Sequence, residues 1–229
     1  MASRATPERP GWAEVTVGLI VLSVIGFGGG GLIAQLPLEP VFIGLVFTGL
    51  TGVAGLAGFY AAFFLRIRSL TAFGVRPTSI RWLIIAVGVG LIAFVSKSAA
   101  ILLYIQMTGD STSPQDIYAT GASGGLWTAI LATCFLSFLT PLGEEFVFRG
   151  VVASALLRYG AFVGVVGSAL IFAIFHGVNV VFPAALVVGL VAGEIFRRSG
   201  SVWPAFVVHA VVNLPTIPVM VLARVAKSQ

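Results

Sequence analysis

Two histidines occur in this chain, and both sit in apolar runs: His176 closes Phe172-Ala173-Ile174-Phe175-His176, and His209 opens His209-Ala210-Val211-Val212-Asn213. A third polar cluster, Glu144-Glu145-Phe146-Val147-Phe148-Arg149-Gly150, follows Pro141. An ionisable side chain at bilayer depth costs about 2.5–3.5 kcal/mol on insertion scales, so it marks function unless something else accounts for it. The residues that meet this test are Lys97, Glu144, Glu145, Arg149, His176, Glu194 and His209, with Asn213 as an amide. All but Lys97 lie after residue 140, which places any chemistry in the C-terminal half.

Spacing assigns these residues to faces. On a helix, side chains four positions apart meet, so Glu145 can pair with Arg149, and His209 and Asn213 point together. Glu144 is rotated about 100° from Glu145 and looks elsewhere. One carboxylate is thereby neutralised and the other is left to accept a proton. Burial makes a carboxylate a better base, so Glu144, helped by His176, can take a proton from water. Attack on a peptide carbonyl creates an oxyanion that wants preorganised donors, and His209 with Asn213 can supply them. No serine or cysteine lies in the three clusters, which disfavours a covalent nucleophile. A zinc ion held by Glu144, His176 and His209, with a position open for water, is an equal alternative at this point, although the His-Glu-x-x-His spacing is absent. The bland readings are a salt-bridged helix start for the first cluster and a satisfied core imidazole for each histidine. Two histidines of two, each in an apolar run beside a Glu-Glu helix, favour function.

The elements that must position these residues are membrane helices. The 229 residues are 58% hydrophobic and 9% charged, with a mean hydropathy of +1.07, whereas a soluble domain carries roughly 25% charged residues. Runs of about 20 apolar residues predict an all-α polytopic bundle of about seven spans, with six to eight compatible. They fall near residues 13–36, 41–65, 82–106, 124–142, 161–178, 180–196 and 201–223. The first is a retained helix softened by Gly28 to Gly31, and 144–159 reads as an amphipathic helix lying partly in the membrane. The Ser/Thr/Gly/Asp-rich stretch 107–123 divides N-terminal helices, 1–122, from a catalytic core, 123–225. The net charge of +5 is no nucleic-acid footprint, because the basic residues sit at the ends of apolar runs.

Arg66, Arg68, Arg76 and Arg81 crowd one connection, while 107–123 holds Asp110 and Asp116 and no Lys or Arg. The bias puts the N-terminal tail, with Arg4 and Arg9, in the cytoplasm, together with Arg149, Arg158, Arg197 and Arg198. Arg224 and Lys227 then land outside unless Pro215 and Pro218 turn the last helix back. Trp12, Trp82, Trp127 and Trp203 stand near span starts, where indoles favour the headgroup boundary. Cys134 reads as a small core residue, Glu194 as an ion-pair partner of Arg197 and Arg198, and Asn179 as a cavity liner or a helix end.

Taken together, Glu-Glu-x-x-x-Arg, Phe-x-x-x-His and His-x-x-x-Asn on successive hydrophobic helices resemble the CAAX-protease and bacteriocin-processing (Abi, or type II CAAX prenyl endopeptidase) family. The stretch Arg197-Arg198-Ser199-Gly200-Ser201-Val202-Trp203-Pro204-Ala205 is similar to that family as well, and the likeness covers roughly residues 124–217. It implies a helical membrane core with a cavity opening to the cytoplasmic side, and an intramembrane endopeptidase of the metallo or glutamate type. It further implies that Glu144 and His176 activate water, that His209 and Asn213 stabilise the oxyanion, and that Glu145, Arg149 and Phe172 support them. The partners implied are lipid and a peptide or protein substrate, prenylated or otherwise membrane-anchored, as in CAAX-box protein processing. The expected location is the plasma membrane of a bacterium. A non-catalytic scaffold or bacteriocin-immunity protein is the alternative, and a proton-coupled transporter ranks last because no internal repeat is found.

Overall fold

A computed structural model describes residues 9–227; Arg4 and the Lys227 side chain lie outside the described residues. Every described element is helical. In chain order they are α1 Trp12–Ile33, α2 Pro40–Leu65, α3 Ile80–Thr108, α4 Asp116–Gly121, α5 Leu126–Tyr159, α6 Val163–Phe175, α7 Val181–Ser199, α8 Val202–Asn213 and α9 Thr216–Lys227. Five segments are long and apolar enough to cross a membrane: α1, α2, α3, α5 and Val202–Arg224. The shorter α6 and the 19-residue α7 complete the expected set of apolar helices.

The main departure from expectation is α5. The 124–142 span and the supposed interfacial segment 144–159 are one continuous helix of 34 residues. Pro141 does not break it, because a wider π-helical turn over Phe135–Leu139 precedes the proline and takes up its missing N–H. A second such turn spans Phe146–Ala153, and every residue in it is buried. That stretch runs through the middle of the bundle rather than along its surface. Arg149 is accordingly enclosed, not at a helix end as the charge pattern suggested.

Helix α2 fixes the position of α5 by backbone contact. A Cβ on Gly143 would run into the Gly52 carbonyl, and one on Gly55 would lie 2.5 Å from the Gly143 carbonyl. Small residues let membrane helices approach this closely, and here the closest approach falls beside Glu144. Thr140 adds a bond across the same contact, its hydroxyl donating to the Thr48 carbonyl at 2.9 Å.

One end of the bundle is stitched by arginine. Glu14 is buried and receives Arg66 on both oxygens, at 2.6 and 3.0 Å, while the Gly11 N–H donates to it at 2.7 Å. Arg158 donates to the Pro10 carbonyl, Trp12 to the Tyr159 hydroxyl at 3.0 Å, and Arg76 to the Gly200 carbonyl at 2.6 Å. The expected pairing of Glu194 with Arg197 and Arg198 forms at 2.7 and 2.5 Å.

The far end carries the 107–123 connection. The last helix does break after α8, yet it is not turned back. Helix α9 packs beside α4, where Arg224 donates to the Asp116 carbonyl at 3.2 Å and the Thr120 hydroxyl at 3.0 Å. Trp12 and Trp127 are exposed at opposite ends, as the boundary preference requires, while Trp203 packs at 5.7 Å against Phe146. Cys134 faces outward, not into the core.

Candidate active site

A cavity of about 290 Å³ collects the sequence-selected residues. Glu144, Phe172, His176, His209 and Asn213 all line it, although they come from different helical segments. Glu145 and Arg149 stand behind it, fully buried. The expected pair forms, with Arg149 Nε 3.0 Å from Glu145 Oε2.

The other Glu145 oxygen does something the spacing could not show. It lies 2.8 Å from His209 Nδ1. A carboxylate only accepts, so Nδ1 carries the hydrogen and Nε2 is the free nitrogen of His209. That Nε2 is 3.8 Å from Glu144 Oε2, too far for a direct hydrogen bond. Glu144 Oε2 is buried and has no hydrogen-bond partner. A gap of this length between two polar groups is the kind that a water bridges.

His176 is fixed by its own helix. Its Nδ1 lies 2.9 Å from the Phe172 carbonyl. The carbonyl can only accept, so Nδ1 donates and Nε2 is left with a lone pair. Phe172 is the spacer of the site: its ring centroid is 4.6 Å from the ring of His176, 5.7 Å from that of His209 and 4.8 Å from the Arg149 guanidinium. Asn213 shares the cavity with His209, and one of its two amide hydrogens goes to the Leu136 carbonyl at 3.1 Å. Asn179 does not line the cavity; it bonds the His176 carbonyl and the Val181 N–H, so it ends one helix and starts the next.

Several lining residues lie outside the three motifs. Thr51, on α2, lies against the Glu144 carboxylate and is 3.5 Å from the Thr140 hydroxyl. Tyr118, on α4, has its phenol pushed up by burial and then by the Glu144 charge, so it stays a neutral donor. Lys97 enters from α3. Pro114 and Gln115 bring the 107–123 connection against the cavity, which therefore reaches toward the end opposite the arginine cluster. With the basic end taken as cytoplasmic, this is the reverse of the opening that the family resemblance implied.

Residues 117–215 match the family described as Type II CAAX prenyl endopeptidase Rce1-like. Over this segment the chain is similar to the Rce1-like family. That family is one of proteases, and the matched segment, set here in an all-helical membrane bundle, contains all three motifs. No curated protein and no solved structure matches the chain significantly. The cavity is completed from outside the matched segment, by Phe27, Phe47, Leu50, Thr51 and Lys97 among others.

The zinc alternative can be set against the donor geometry. Among the described residues, no three His, Cys, Asp or Glu side chains are grouped to hold one metal ion. Glu144, His176 and His209 share the cavity without forming such a set.

Proposed function

We propose that the protein is an intramembrane endopeptidase that hydrolyses a peptide bond with water activated by Glu144 and His176. The observation that carries this reading is the buried, unpartnered Glu144 oxygen in the cavity, 3.8 Å from His209 Nε2. Glu144 takes a proton from water, with the bare Nε2 of His176 assisting, and the hydroxide formed attacks the scissile carbonyl carbon. The oxyanion is received by the second amide hydrogen of Asn213 and by Nε2–H of His209. That imidazole enters the step as imidazolium, held through Nδ1–H by Glu145, and keeps its Nε2 proton throughout, so the one proton transferred is the one that Glu144 takes from water. The C–N bond then breaks, and the proton held by Glu144 passes to the leaving amine.

The apolar lining from Leu22, Phe27, Phe47, Leu50 and Phe175 suits a membrane-anchored or prenylated peptide. The test is cleavage of such a peptide by purified protein in lipid. His176→Ala and His209→Ala are each expected to slow turnover by roughly 10²–10⁴-fold, and wild-type rates in both would refute the mechanism. Elemental analysis of active protein, before and after a chelator, is expected to show activity that does not follow metal content. A membrane phenotype that survives loss of Glu144 would mark a scaffold or immunity protein instead.

We also propose that the arginine end faces the cytoplasm of a bacterial plasma membrane, so that the substrate enters from the far side. In a Cys134→Ser background, a cysteine at Asp110 is expected to react with an impermeant thiol reagent in intact cells, and one at Arg68 only after lysis. The opposite pattern would invert the topology.

A further inference from the structure

Lys97 plays no part in the mechanism above, and its placement needs an explanation. It lies on α3, about 25 Å along the helix from Ile80 and about 16 Å short of Thr108 at 1.5 Å per residue. Neither helix end is within reach of a lysine side chain, so this is not an ammonium snorkelling to water. Its Nζ instead donates to the Val212 carbonyl at 3.1 Å and contacts the Thr216 hydroxyl at 3.4 Å.

An ammonium has three hydrogens, and these contacts use two. No ion pair among the described residues includes Lys97, and it is the one Lys or Arg among the residues that line the site cavity. A cation in an apolar span is costly to keep unless something balances it. Phe94, whose ring centroid is 5.4 Å from Nζ, balances it only in part. The Val212 carbonyl that Lys97 holds belongs to the peptide unit leading into Asn213, so the free N–H lies at the oxyanion end of the cavity.

We propose that Lys97 receives a carboxylate of the peptide substrate and thereby selects which peptides are cut. This rests on the endopeptidase reading, since it places substrate in the same cavity. The carboxylate has two sources, the free chain terminus or an Asp or Glu side chain near the scissile bond. Both offer the same acceptor to the third ammonium hydrogen.

The test compares three fluorescent peptides that differ only at the last residue: the free acid, its C-terminal amide, and the amide with an aspartate at the last position. Binding to protein in bicelles is read by anisotropy, and cleavage is read in parallel. Wild type is expected to prefer a carboxylate-bearing peptide to the plain amide by roughly tenfold to a hundredfold, the range of a hydrogen bond to a charged group. Lys97→Met is expected to bring that ratio to about one, and Lys97→Arg to keep a preference, which guards against a simple folding defect. Preference for the free acid alone identifies the chain terminus as the source, and equal preference for the aspartyl amide identifies carboxylates in general. A wild type indifferent to both carboxylates, or a preference that persists in Lys97→Met, overturns the proposal. So does an equal loss on acid and amide in Lys97→Met, which would mean that Lys97 only positions Asn213. If binding shows a Lys97-dependent preference and nothing is cleaved, the carboxylate site stands and the endopeptidase reading falls.

Discussion

Glu144→Gln is expected to remove peptide hydrolysis, by roughly 10²–10⁴-fold in turnover, while the protein unfolds at no lower a temperature than the wild type. The two halves of this result come from one observation. Glu144 Oε2 is buried without a hydrogen-bond partner, so beyond the Thr51 contact and the approach of His209 at 3.8 Å the carboxylate holds little of the fold together. A buried charge without compensation costs stability, and a neutral side chain of the same shape lowers that cost. Glutamine keeps the volume and the contact with Thr51, yet it cannot take a proton from water. A residue retained for packing would behave the other way, with activity preserved in whatever fraction stays folded. The measurement is turnover of a peptide together with a thermal melt in the same lipid. An active Glu144→Gln protein would remove the general base from the scheme, and an inactive one that unfolds several degrees early would reduce Glu144 to a structural role.

Much of this site could be read from residue order because its parts are local. Glu145 and Arg149 meet because they are four apart on one helix, and His209 and Asn213 reach one cavity for the same reason. What could not be read is contact between distant segments. The bond from His209 to Glu145 spans 64 positions, and no spacing rule reaches that far. Thr51, Tyr118 and Lys97 carry no motif of their own. Gly44, Gly49, Gly52, Gly55 and Gly58 did hold a signal, since small residues at near-helical spacing mean a close neighbour, but only the fold shows that Gly52 and Gly55 meet Gly143, Gly44 meets Gly121 and Gly58 meets Gly18. The joining of 124–142 and 144–159 into one helix was hidden for a different reason. A proline argues for a helix end, and a compensating π-helical turn leaves no mark in residue types.

The adjacent carboxylate is expected to respond in the opposite sense. Glu145→Gln should destabilise the protein by about 3–5 kcal/mol, the cost of removing one partner of a buried ion pair. Arg149 is completely enclosed. Without Glu145 its charge is left to the more distant Glu144 carboxylate, the Gly189 carbonyl at 3.5 Å and the Phe172 ring at 4.8 Å. His209 loses its anchor in the same variant, so folded molecules should also turn over slowly. Arg149→Met is expected to lose a comparable amount of stability, because Glu145 then keeps only the imidazole. The double variant Glu145→Gln/Arg149→Met should be more stable than the two single losses add up to, since it leaves neither member of the pair as a charge without its partner. Melting curves of the four proteins close that cycle. Additive losses would show that the pair does not hold the site, and a stable Glu145→Gln would show that Arg149 has another counter-charge. Two neighbouring glutamates of identical chemistry thus behave differently because of what surrounds them. Arg149 and His209 consume the charge of Glu145, and Glu144 is left as the carboxylate free to react.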